Sequence, residues 1–145
     1  MSQVSIKTII TRLETFATSH KQINQFGFGE LYNISTKDLL YPYMHVMPVS
    51  TNKINSLSKL NLEIYIMDLE RGDNLLDIMS NLYMIGNDIV TEFMESDEDY
   101  GFSINTENIT TNPFTGKFDD LTAGWNWKVE VDFIQTNNSC TIPKK

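Results

Sequence analysis

Leu60-Asn-Leu-Glu-Ile-Tyr-Ile-Met67 is the stretch from which the fold is read. Leu60, Leu62, Ile64 and Ile66 occupy every second position, with Asn61, Glu63, Tyr65 and Met67 between them. Successive side chains of an extended chain point to opposite faces, so this spacing specifies a strand with one face in a core. The same period returns at Trp125, Trp127, Val129, Val131 and Phe133, alternating with Asn126, Lys128, Glu130 and Asp132. That second run predicts a long, half-buried strand with a polar opposite face.

The apolar period changes elsewhere. Ile6, Ile9, Ile10, Leu13, Phe16 and Ala17 fall three and one apart, which makes one stripe of an amphipathic helix from Val4 to about His20. Ser5 or Ser2 is placed to cap its start. A wider apolar run from Leu75 to Met94 predicts a second helix, with Asp73 or Asn74 at its N-cap and Gly86 inside it. Glycine lowers helix propensity by about 1 kcal/mol relative to alanine, so a close contact with another backbone is expected at Gly86.

Between the helices, Phe26-Gly-Phe-Gly29 marks a boundary, Leu31–Ser35 reads as a short strand and Ser35–Asp38 as a turn. Tyr41–Val49 reads as a strand whose Pro42 and Pro48 point to an edge or to bulges, because proline cannot donate a ladder hydrogen bond. Thr51–Ser58 reads as a polar loop. After the second helix, Ser96–Gly101 is a terminator, Phe102, Ile104 and Thr106 alternate as a strand, and Asn112–Gly116 is a loop. The order is α-β-β-β-α-β-β. Short connections favour an antiparallel sheet of about five strands with two helices on one face, an α+β fold. Residues 1–136 form one domain, and 137–145 a polar tail.

At 145 residues the chain has the usual size of one domain. Eleven Lys and Arg against nineteen Asp and Glu give a net charge of −8, a poor basis for gripping nucleic acid phosphates. A single cysteine leaves no internal disulfide and no cysteine-built zinc site. The N-terminal residues lack the pattern of a signal peptide, and no stretch reaches the roughly 18–20 apolar residues of a membrane span. A cytoplasmic site of assembly without a membrane partner is the expectation.

Each group able to do chemistry also has a plain structural reading. The cluster of Glu92, Glu95 and Asp97–Asp99 fits no calcium-loop spacing and reads as a solvated helix end. Arg71-Gly-Asp73 spells an adhesion tripeptide but suits an ordinary strand-to-helix turn. His20 falls at a helix end, where its positive form suits the dipole, and His45 falls in a strand. Cys140, in the tail, has no histidine near it in sequence to activate it. Asp68, Glu70, Asp119 and Asp120 are the carboxylates from which a small metal-dependent hydrolase or nuclease would be assembled. A carboxylate-rich inhibitor that mimics DNA is a further reading. Trp125 and Trp127 share a face, as core residues or an interface anchor. No phosphate loop or dinucleotide fingerprint is present. The expectation is therefore no catalytic residue, no metal, no cofactor and no enzyme.

The element order from Val4 to Gln135 is similar to that of the tail-terminator and tail-completion, or neck ring, family of tailed bacteriophages. Local phrases also resemble small virion proteins of phages infecting Bacteroidetes, crAss-like phages included. They are Thr18-Ser-His-Lys-Gln-Ile-Asn-Gln-Phe-Gly-Phe-Gly29, the Tyr41-Pro42 strand entry, Tyr65-Ile-Met-Asp-Leu69, Pro113-Phe114, Phe118-Asp-Asp120, Ala123-Gly-Trp125 and Asn138-Ser-Cys-Thr-Ile-Pro143. The resemblance implies a structural virion protein. It would be one subunit of a sixfold or twelvefold homo-oligomeric ring at the head–tail junction or tail terminus. Portal, adaptor or tail proteins would be its neighbours, and genomic DNA would pass through the lumen without specific binding. A head-completion adaptor or stopper of the neck is the alternative within the same class. Tyr41, Tyr43 and Trp125 are expected as exposed aromatics of the subunit interface.

Overall fold

The computed structural model describes residues 4–30, 39–116, 122–135 and 139–145. Helix α1 spans Ile6–Ser19, and the Ser5 side chain accepts a hydrogen bond from the Thr8 N–H at its start. Strands β1 (Gln25–Phe28), β2 (Tyr43–Ile54) and β3 (Leu57–Leu69) follow, then helix α2 (Leu75–Phe93) and a single turn, α3 (Asp97–Tyr100). Strands β4 (Phe102–Ile104), β5 (Thr110–Thr115) and β6 (Thr122–Ile134) complete the sheet, and Ser139–Thr141 forms a 3₁₀ turn.

The fold is α+β, with a six-stranded sheet in the order β1-β2-β3-β6-β4 and β5 also paired to β6. β3 and β6, the two runs with period two, pair antiparallel along their whole length, from Leu57 opposite Ile134 to Leu69 opposite Thr122. Their apolar positions coincide across the ladder, Leu62 with Val129, Ile64 with Trp127 and Ile66 with Trp125. That coincidence fixes the register, because a slip of one residue would turn every apolar side chain to the other face. Ile9, Leu13 and Ala17 of α1 and Ile78, Leu82, Ile85, Ile89 and Phe93 of α2 bury against this face.

Four parts of the sequence reading are corrected. The sheet is mixed, because β1 pairs parallel to β2, from Gln25 with Tyr43 to Phe28 with Val46. The connection from Gly29 to Pro42 is long enough to return the chain to the same end of the sheet, which parallel pairing requires. β1 itself is built from the Phe-Gly-Phe stretch taken as a boundary. The polar stretch Thr51–Ser58 is not a loop, for β2 runs to Ile54 and β3 begins at Leu57. The turn between them is Asn55-Ser56, with Asn55 at φ 56°, a conformation asparagine tolerates better than most residues. Asn112–Thr115 belongs to strand β5, whose Pro113 is accepted because it lies at the sheet edge. The expected strand Leu31–Ser35 and turn Ser35–Asp38 lie outside the described residues. The bulge expected of the prolines is found at Pro48, where the β2–β3 register shifts before Ser50.

β4 and β5 are two segments of one edge. Both run antiparallel to β6, β4 against Val131–Phe133 and β5 against Ala123–Lys128. The Asn105 N–H donates to the Glu130 carbonyl in the gap between them.

Gly86 meets a side chain rather than a backbone. A Cβ at this position would run into the indole of Trp127, which is 4% exposed. Helix propensity alone favours alanine by about 1 kcal/mol, whereas overpacking a filled core costs typically about 1–3 kcal/mol. Crowding against a buried indole outweighs propensity here. Gly86→Ala is thus expected to lower the urea midpoint, with an unchanged slope, by about 1 kcal/mol in stability. A raised midpoint would contradict this packing.

Candidate functional site

The sheet face away from the helices carries the first set of polar residues. Tyr43 and His45 of β2 and Tyr65 and Met67 of β3 share this face, since Tyr43 pairs with Met67 and His45 with Tyr65. All four are buried. Leu39, Tyr41 and Phe114 pack over Tyr43, Tyr65 and Met67 as a second, smaller core.

His45 is held from both sides. One ring nitrogen, Nε2, lies 2.8 Å from the Gly29 carbonyl oxygen, and Nδ1 lies 2.8 Å from the Tyr43 hydroxyl. The carbonyl can only accept, so Nε2 carries the proton and Tyr43 donates to Nδ1. Burial lowers the His45 pKa below the ordinary histidine value, and the Gly29 carbonyl opposes that shift in part. Burial pushes the Tyr43 phenol up to about 12, with Tyr41 adding to the shift. Tyr65 also rises to about 12, through burial and then the neighbouring Glu63 carboxylate. These groups brace the sheet as neutral hydrogen-bonding partners.

A pH dependence follows for His45. Its unfolded form takes up a proton near pH 6.5, and its folded form does so only at lower pH. The stability it contributes is complete above pH 6.5 and is lost as pH falls through the folded value. The expected result is a urea midpoint that falls on acidification below pH 6.5, with a smaller fall in His45→Gln. An equal fall in both proteins would assign the effect to other groups.

The three expected interface aromatics do not form one exposed patch. Tyr43 is 4% exposed and belongs to the small core, and Tyr41 is half-buried over it. Trp125 lies on the opposite face, half-buried against α2, with its Nε1–H donating to the Met79 carbonyl at 2.8 Å. The ring of Tyr83 packs on both Trp125 and Trp127. The expectation of Tyr41, Tyr43 and Trp125 as exposed anchors is thereby corrected. Each aromatic is drawn inward by a neighbouring apolar surface that the local sequence does not reveal.

The carboxylates considered for a metal site are dispersed. Asp68 is half-buried at the end of β3, and its Oδ1 accepts from the Leu69 N–H. Glu70 follows it in the connection to α2, whereas Asp119 and Asp120 lie outside the described residues. Among the described residues no three His, Cys, Asp or Glu side chains converge as a metal site would require. Glu92 accepts from the Tyr100 hydroxyl at 2.9 Å. The Arg71-Gly-Asp73 turn is closed by the Arg71 N–H donating to the Asn74 side chain. Asn74 is the N-cap residue of α2, but its side chain makes no cap hydrogen bond. Cys140 is exposed in the 3₁₀ turn. No described helix is long and apolar enough to cross a membrane.

A concavity lies between α1 and α2. His20, at the C-cap of α1, places Nε2 2.9 Å from Asp88 Oδ2 of α2. Two hollows lie along α2, and His20 lines one of them. One, of about 350 Å³, is lined by Arg12, Phe16, His20, Glu92 and Tyr100. The other, of about 410 Å³, lies where β3 ends and α2 begins. Ile78, Leu82 and Ile85 line it with Asp68, Asp77, Lys21 and the amides of Asn24, Asn74 and Asn81. Its volume falls in the range of small-ligand and side-chain pockets. The sequence reading missed this cleft, because its residues come from four segments. The signal available was the polar series Asn74, Asp77, Asn81 and Asp88 along one side of α2.

Compared with known protein families and with proteins of curated function, the chain matches none.

Proposed function

We propose that the chain is a structural virion protein, one subunit of a homo-oligomeric ring at the head–tail junction or tail terminus of a tailed phage. Portal, adaptor or tail proteins are its neighbours in this reading, and the genome passes through the ring. The supporting observation is a pair of unlike exposed apolar surfaces, one at the β1 edge and one on α2, which packs on β6, β3 and β4. At the β1 edge, Phe28 is 51% exposed, and nearby Leu40 is 61% exposed. On α2, Leu76 and Met84 are exposed, and Tyr83 adjoins Trp125 of β6. A ring is closed by heterologous contacts, which need two different surfaces on each subunit. The resemblance of element order supports the same reading, and the net charge of −8 suits a wall past which DNA slides.

The test is made on the virion. Mass spectrometry of purified particles is expected to find the chain, and averaged images to place it as a ring between portal and tail tube. A ring against the portal would make it the adaptor or stopper, and a ring on the tube end the terminator. Particles that lack the chain would end the proposal.

A further inference from the structure

We infer that the sheet face away from the helices binds a polyhydroxylated ligand, one pyranose ring of a sugar. A hollow of about 300 Å³ lies on this face, at the lower end of the range of small-ligand pockets. Two adjacent cross-strand rows line it. Ser50 of β2 pairs with Asn61 of β3, and Asn61 with Glu130 of β6. In the next row Glu63 pairs with Lys128, and Lys128 with Thr110 of β5. Asn108, in the connection before β5, adds an amide. These side chains are exposed or half-buried, so their polar groups meet solvent. The small core of Tyr43, Tyr65 and Met67 occupies the other end of the same face.

The chemistry of the lining selects the ligand class. A sugar hydroxyl both donates and accepts, so its site needs acceptors set beside donors. Glu130 Oε1 accepts from Lys59 at 3.0 Å and from Asn105 at 3.3 Å, and Glu63 Oε2 accepts from the Tyr65 hydroxyl at 3.2 Å. Both carboxylates are thereby oriented in advance on rigid strands. The Asn61 amide donates to Ser50 at 3.0 Å, which leaves Asn61 Oδ1 and the Ser50 hydroxyl proton for a ligand. Among the described residues, the Asn108 and Thr110 side chains make no hydrogen bond. Lys128 stands 4.0 Å from Glu63, beyond hydrogen-bond distance, so its donors also face solvent. Val49, 57% exposed, lines the hollow and offers an apolar surface to the C–H face of a ring. Other ligand classes fit less well. Two carboxylates against one lining ammonium oppose an anion, and the ammonium groups of Lys59 and Lys128 beside those carboxylates oppose a cation. Val49 alone is too little exposed apolar surface to hold a hydrophobic ligand.

The inference does not rest on the ring reading, and its test uses the full-length chain in solution. Amide NMR spectra are followed during titration with the methyl glycosides of glucose, galactose and mannose, up to about 50 mM. At least one glycoside is expected to give saturable shifts confined to the amides near Ser50, Asn61–Glu63, Asn108–Thr110 and Lys128–Glu130. The expected Kd is on the order of 1 mM, as suits a ligand of about a dozen heavy atoms on an open polar face. Thr110→Val keeps the strand and removes one hydroxyl, and Asn61→Ala removes one amide. Each is expected to weaken binding about fivefold, the worth of one hydrogen bond, with unchanged spectra elsewhere in the chain. No saturable shift with any glycoside overturns the inference, and so does a wild-type Kd in both variants. Saturable shifts of the same amides with sodium phosphate, at equal or higher affinity, overturn the polyol class. None of these outcomes bears on the ring, which the search of the virion decides.

Discussion

Phe93→Ala is expected to lower the unfolding free energy by about 3–5 kcal/mol, the range for removing a large buried aromatic side chain. Phe93 is 2% exposed and closes the last turn of α2. Its ring stacks on Phe102 of β4 at 5.5 Å between centroids and meets Phe16 of α1 at 6.0 Å and Tyr100 of α3 at 5.5 Å. One side chain therefore ties both long helices to the β4 end of the sheet. Partners from three elements cannot all collapse into the vacated space, which places the loss in the upper part of the range. A domain's whole stability is typically about 5–15 kcal/mol, so the variant should be marginally folded. Urea unfolding followed by far-ultraviolet circular dichroism measures the loss, and hydrogen exchange should show α1 losing protection first. A loss below about 1 kcal/mol would mean that α1 is held by other contacts.

Gly124→Ala is expected to cost about 3 kcal/mol, at the upper end of overpacking effects. A Cβ there would strike the Ile66 carbonyl oxygen and stand 2.9 Å from the Met67 Cα. Both obstacles are backbone atoms of β3 in the middle of the sheet, so no rotamer change relieves them. The contrast with Gly86 is informative, because there the obstacle is the Trp127 side chain, which has some freedom to shift. Gly124→Ala should therefore destabilise more than Gly86→Ala in the same denaturation experiment. Equal losses would show that β3 and β6 can separate locally at low cost.

The parts of the fold legible in the sequence are those where one face of an element meets the core and the other does not. Leu60–Ile66 and Trp125–Phe133 alternate for this reason, and the α1 stripe follows the helical period for the same reason. β2 beyond Pro48 is exposed through Ile54, so nothing imposes a pattern on Thr51–Ile54 and its strand was read as a loop. β5 sits on an edge and contains proline, and β1 is four residues long with a glycine inside it. The small core on the far face escaped notice because its members Tyr43, Tyr65, Met67 and Phe114 come from three strands, and only Tyr65 and Met67 follow the two-residue period within one of them. The cleft was illegible for a similar reason. Asp68 and Asp77 flank a turn, and Lys21 and Asn24 reach the cleft only because α1 packs beside α2.

The position of β6 has a consequence for synthesis. It is made after every other described strand but lies inside the sheet, between β3 and the β4–β5 edge. The β2–β3 hairpin can form as soon as Leu69 emerges, since its contacts are local. Until residues 122–134 leave the ribosome, β3 has an open edge and the strands β4 and β5 have nothing to pair with. Chains stopped before β6 would present an apolar sheet face and an unpaired strand together, the state most prone to association between nascent molecules. Folding of this sheet is thus gated by completion of β6.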